Sequence, residues 1–530
     1  MAALPLAFRR RVRFGHPTNR VPVAIGAVWP GDPRRGAALA AGEIAFQGEL
    51  IRNPSPRWLP AASEAWLAAW HGFDWIGDLL SAGSVARATA RELVESWLAE
   101  DFARRSVAWR PDVTATRLYA LVTHFDEIAG TACPANVQRA LVASLGAHTR
   151  HLARTALSEL DGAARLRALK GLIAGSAALG GSPWRLGRGL RRLERELALQ
   201  FLPDGGHRAR SPSVQLAALK DLVDIRGILR AADAATLPAL QNAIERAAPV
   251  LRLYRHGDRR LALFNDSLEE DGLLIDLVLT RSEIKGSAPA RAVNSGFERL
   301  EAGRSVVIVD TGHQPSAGFE ERAHAGALSF EMSHGRERLI VNCGTYRGPH
   351  GKWSRVTSAS AAHSVLVVAD TNSAEIGSNS AFHRKPTSVS CERAEHDGRH
   401  WISASHDGYR ERFGLIYTRQ LFLAADGDDL RGEERLQGRP GAQFTVRFHL
   451  HPTVEASLSE EQAAAVLRPP SRRCWRLRAT GAEMGLAESV YLGSGEIRKT
   501  QQVVLSGTVA PGETIVRWAL RREPDSNGSG

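Results

Sequence analysis

Apolar residues recur at three- and four-residue steps from Ser63 to about residue 252. Trp66, Ala69, Trp70 and Phe73 start the pattern behind Ser63, a residue type that caps helices well. The same period predicts helices near 85–102, 112–128, 135–158, 160–180, 184–201, 212–231 and 234–252. Within 212–231, Pro212 falls in the first turn, where its missing N–H costs little, and Leu216, Leu219 and Leu222 line one face. Consecutive helices with short connections and no intervening strand predict an all-α domain of antiparallel helix pairs. No fixed repeat length appears.

After about residue 255 the period shortens. Leu261–Phe264, Ser305–Val309, Leu328–Met332, Leu339–Val341, Val365–Val368, Trp401–Ala404, Leu415–Leu423, Phe444–His449, Val503–Leu505 and Thr514–Trp518 read as short strands separated by Gly, Asp, Asn and Pro. Ala327–Met332 and Arg338–Val341 flank the turn Ser333–Glu337 as a hairpin. An antiparallel β-sandwich is expected. The resulting division is an extended N-terminal arm (1–60), a helical domain (61–255), a β-sandwich (256–524) and a loose tail (525–530), with the cleft between the two domains as the default site.

A chain of 530 residues exceeds what one core usually fills, which agrees with two domains. The formal charge of +11 favours polyanionic partners, although arginines dispersed along the whole chain also read as compositional bias. No aromatic–basic motif or zinc-finger spacing points to nucleic acid. Cys133, Cys343, Cys391 and Cys474 form neither a C-x-x-C pair nor a disulfide framework. Arg9-Arg10-Arg11 is not followed by the apolar run of a secretory signal, and no stretch is long and apolar enough for a membrane span.

Three groups of residues could carry chemistry. Asp204-Gly205-Gly206-His207 followed by Arg208-Ala209-Arg210-Ser211-Pro212 would present His207 and Arg210 at a helix start, a place suited to anions, or would be an ordinary glycine-rich loop. Trp70-His71-Gly72-Phe73-Asp74-Trp75 would offer His71 and Trp75 to a sugar ring, or would pack the helical core. In the β half, His324 and His363 at strand ends could ligate a metal with Asn342 as a weak third, or simply hydrogen-bond there. Tyr346 and Arg347 lie in the neighbouring Gly344–Gly348 loop.

At these motifs, and at Phe448-His449-Leu450-His451-Pro452, the chain resembles the heparinase II/III-like polysaccharide lyases, in a branch found among alphaproteobacteria. The resemblance implies an incomplete α/α toroid followed by an antiparallel β-sandwich. It also implies β-elimination on a uronic-acid polymer and a location in the cell envelope or periplasm, whereas the N-terminus leaves the cytoplasm open. Family members use an Asn or His on a toroid helix, a Tyr after the Arg-Ser-Pro turn and a His on the β domain, and hold zinc with His, Asp and His. Here Gly162-Ala163-Ala164-Arg165 places Ala at the Asn and His positions, Val214 replaces the Tyr, and Arg322 replaces the catalytic His. His324, Asn342 and His363 stand at the zinc positions.

The expected function is a lyase acting on an acidic polysaccharide with a rearranged catalytic set. Arg210 or Arg322 would neutralise a carboxylate, and His207, Tyr346 or His363 would act as base or acid, with His71, Trp75 and Arg347 binding sugar. The alternative is a non-catalytic acidic-polysaccharide-binding protein that retains the cleft. A two-carboxylate hydrolase is a third reading, for which no carboxylate pair stands out.

Overall fold

A computed structural model describes residues 21–103, 106–130, 133–156, 158–180, 183–348, 352–377, 382–459 and 464–523. The chain divides into two compact units. One runs to Gln200 and adds Ala218–Ile244; the other takes Phe201–Ala217 and everything from Glu245 onward. The division is therefore interleaved, not a single break near residue 255.

The first unit is helical. Ser84–Ala99, Pro111–Thr123, Ala135–Thr155, Gly162–Ala178 and Pro183–Gln200 lie where the periodicity places them. Ser63 caps Glu64–Gly72 by accepting from the Trp66 N–H at 3.2 Å. Trp66, Trp70 and Trp75 are fully buried, and Trp70 stacks between Trp58 and Trp75 with ring centroids 4.9 and 4.7 Å away. Residues 21–60 are more structured than an extended arm. They contain the helix Pro33–Ala40, capped by Asp32, and the hairpin Glu43–Phe46/Glu49–Arg52. Residues 1–20 and the expected tail at 525–530 lie outside the described residues.

The second unit is built on two antiparallel sheets. In spatial order, the eight-stranded sheet runs Val389–His396, Arg399–His406, Leu415–Leu423, Asp429–Gly438, Gly512–Arg522, Trp475–Thr480, Ala464–Arg468 and Glu455–Leu458. The other sheet places Gln443–Leu450 centrally, beside Arg498–Thr508 and Glu337–Val341. Their inward residues, among them Phe330, Tyr417, Leu421, Phe448 and Trp518, make one core. The expected hairpin is present, with Met332 opposite Ile340 and Gly335 at φ +57° in the turn. Two expectations fail. Leu261–Phe264 makes a single bridge, Arg255 to Leu261, in place of a strand, and Gly272–Ser282 is a helix inside the β half.

Candidate functional site

Sequence reading missed the centre of the site. The apolar run Leu261–Phe264 ends in Asn265-Asp266, with φ values of +45° and +52°. Asn and Asp tolerate this left-handed conformation better than most residues, so the pair after an apolar run was a legible turn signal. The turn aims both side chains into the second unit. Asn265 accepts from the His324 N–H at 2.9 Å and donates to the Arg210 carbonyl at 2.9 Å. The Asp266 carboxylate takes Arg322 Nη1 at 2.9 Å and the Thr345 hydroxyl, while its carbonyl accepts from Arg347 at 3.2 Å.

His324 and His363 meet beside this turn, with His324 Nδ1 3.2 Å from His363 Nε2. The groups at either end fix the direction of the chain. The Ala359 carbonyl can only accept, so His363 donates to it from Nδ1 at 2.8 Å. The Asp266 N–H can only donate, so His324 accepts at Nε2 at 3.1 Å. His324 Nδ1–H then donates to His363 Nε2, and no ring nitrogen in the relay has a spare lone pair. Burial lowers His324 to about 4 and His363 to about 3, so both rings are neutral at physiological pH.

These residues do not fit a zinc ion. Asn342 spends its Oδ1 on the Ser364 N–H at 3.0 Å, and its buried Nδ2 has no partner. A donor therefore stands where an aspartate would offer a second oxygen. Among the described residues no group of three His, Cys, Asp or Glu side chains could hold a metal.

The other expected site residues are placed differently. Arg210 is buried at φ +52°, ion-paired with Asp310, donating to the Ser295 carbonyl at 2.7 Å and lying 4.9 Å from the Phe297 centroid. It pins the fold through these contacts, while its Nη1 has no hydrogen-bond partner among the described residues and it lines a cavity of about 300 Å³ with Arg208 and Arg291. His207 is also buried, between Phe201 and Phe319, and burial lowers it to about 3. Its Nδ1 accepts from the Ala209 N–H at 3.1 Å within the turn. His71 and Trp75 have no exposed surface: His71 accepts from Trp97 at 3.2 Å, and Trp75 donates to the Trp70 carbonyl at 3.0 Å. Neither can stack on a sugar. Tyr346 is half-buried and packs near Trp353.

Arg322, with 53% of its side chain exposed, opens with Asp266, Ser354, Arg355 and Asn372 onto a cavity of about 510 Å³. A larger cavity, about 1190 Å³, is lined by Cys343, His449 and Ser489, of which Cys343 and His449 are buried. Burial pushes the Cys343 thiol up to about 12, so it stays protonated beside His449.

Residues 284–519 match a family model described as heparinase II/III-like, C-terminal. This part of the chain is similar to the C-terminal domain of heparinase II/III-like proteins. Arg322, His324, Asn342 and His363 fall inside it, whereas Asn265 and Asp266 precede it. The whole chain has the fold of a heparinase III crystal structure, at 13% identity, a TM-score of 0.75 and coverage of 99% of this chain and 89% of that one. A heparan sulfate lyase from Pedobacter heparinus is similar at 15% identity and a TM-score of 0.63, covering 98% and 88%. A relative from Caulobacter vibrioides, named FtsZ-localized protein C, is 28% identical over 93% of this chain and 88% of its own length. No described helix is long and apolar enough to cross a membrane.

Proposed function

We propose that the chain binds an acidic glycan at the Arg322 cavity and does not cleave it. The observation that carries this reading is the closed relay from Ala359 through His363 and His324 to Asp266, which leaves neither imidazole a free lone pair for a substrate proton. β-Elimination needs a base at the carbon next to the uronate carboxylate, and a positioned base is normally worth about 10²–10⁴-fold in rate. Arg322 and Arg355 can still meet carboxylates, while Ser354 and Asn372 can meet hydroxyls. The test is calorimetry with oligogalacturonate alongside ultraviolet absorbance for unsaturated uronate. Binding without absorbance is expected, and Arg322→Glu should weaken it about tenfold. A steady rise in absorbance would restore the lyase reading.

The Caulobacter relative, whose name calls it FtsZ-localized, supports a second reading at the level of the cell: we propose that the chain goes to the same place by associating with FtsZ. Co-sedimentation with FtsZ polymers tests this, and a chain that stays in the supernatant would count against it.

A further inference from the structure

We propose that the solvent face of the eight-stranded sheet carries a second glycan site, an aromatic–arginine platform for uronate-bearing chains. Its ligand class rests on the glycan reading above; its location does not. Strand alternation turns Trp401, Phe422, Arg431, Ala519 and Arg478 away from the core. Register then sets them in one row across five strands. Trp401 lies opposite Phe422, Phe422 opposite Arg431, Arg431 opposite Ala519, and Ala519 opposite Arg478. The next outward row reads Ser403, Gln420, Glu433, Arg517 and Thr480.

A solvated sheet face normally carries polar residues. Here two aromatics stand side by side, and the small Ala519 between two arginines leaves a cavity of about 390 Å³. Gly432 and the Trp518 indole turn to the core side, so on the solvent face the two aromatics Trp401 and Phe422 supply the apolar surface.

The charge around this surface favours an anion. Arg431, Arg478 and Arg517 line it against Glu433. Arg517 spends its charge on Glu433 at 2.9 Å, and Arg431 pairs with Asp429 at 2.7 Å while its guanidinium lies 5.6 Å from the Phe422 centroid. Among the described residues no carboxylate lies within ion-pair distance of Arg478, which stands exposed at the end of the row. Aromatic faces accept the C–H face of a pyranose, and arginine forks match carboxylates. Four interstrand steps make the row about 19 Å long, which suits an oligosaccharide better than a single sugar. Gln420 and Thr480 add groups able to bond hydroxyls.

The test uses the full chain and a short oligogalacturonate in calorimetry. Two classes of site are expected. Arg478→Glu should weaken one class about tenfold and spare the other, and Arg322→Glu should do the reverse. Trp401→Ala should act like Arg478→Glu; if it lowers the melting temperature because its ring is half-buried, the exposed Arg478→Glu still decides. Both classes unchanged in Arg478→Glu would overturn the platform. An effect of Arg478→Glu with none of Arg322→Glu would uphold the platform and overturn the cavity reading alone. Loss of phosphatidylglycerol-vesicle or single-stranded DNA binding in Arg478→Glu, with oligogalacturonate binding intact, would also overturn it.

Discussion

His71, His207, His324, His363, His406 and His449 are all buried, and burial lowers each to between about 3 and about 4. Unfolded imidazoles bind protons near 6.5. Between about pH 6.5 and pH 4 the unfolded chain therefore binds more protons than the native one, and stability, full above that window, falls as pH falls. A thermal midpoint that drops steadily on acidification through this range is expected; a flat profile would show that these rings charge in place. A second expectation concerns Asn342. Asn342→Asp puts an oxygen where an unpartnered N–H₂ now sits, so added zinc should raise the melting temperature of the variant and leave the parent chain unmoved. At this scale sequence located His324, Asn342 and His363 but not their chemistry. Tautomer and hydrogen-bond polarity depend on Ala359 and Asp266, which are remote from one or other histidine along the chain and carry no metal-site spacing. The burial of Arg210 was equally invisible, because local sequence does not reveal which face of a turn is covered, whereas the core packing of His71 was one of the two readings its aromatic segment offered.

Helices were read closely because their apolar faces repeat over many turns, as in Gly162–Ala178 and Pro212–Ala231. Strands were read where long apolar runs mark them, and others were missed, some because short, as Trp475–Thr480, and some because inward positions are polar. Asp429–Gly438 turns Leu430, Gly432, Glu434 and Leu436 inward, and Gly and Glu break the alternation. Glu434 is tolerated there because its neighbours satisfy it. Arg419 donates from Nε and Nη2 at 3.0 and 2.8 Å, Tyr417 at 2.5 Å and Trp518 at 2.9 Å. Arg419 also donates to the Leu328 and Ser364 carbonyls, each at 2.8 Å. Removing one partner strands a buried charge, so Glu434→Ala should cost about 3–5 kcal/mol in denaturant unfolding. Replacing both, Arg419→Met with Glu434→Leu, should recover part of that loss, and a double variant worse than the single one would mean that the carbonyl contacts dominate.

For the whole molecule, a net charge of +11 supplies a long-range attraction for polyanions that individual contacts then sort. Oligogalacturonate affinity should fall about tenfold between about 0.05 and 0.3 M salt, because screening shortens the reach of that field. Salt-independent binding would put the affinity in sugar–aromatic contact alone. Fold class was legible at this scale because helical and strand periods separate cleanly along the chain. The division into units was not, since it depends on long-range packing of Phe201–Ala217 with residues after Glu245. The chain passes from one unit to the other at Gln200/Phe201, Ala217/Ala218 and Ile244/Glu245. No single cut can therefore yield two complete halves. A fragment beginning at residue 256 lacks the His207–Arg210 turn that pins Ser295, Gly296 and Asp310. A gene fusion that grafts its β half onto another protein should therefore fail to give a folded product unless it carries Phe201–Ala217 as well.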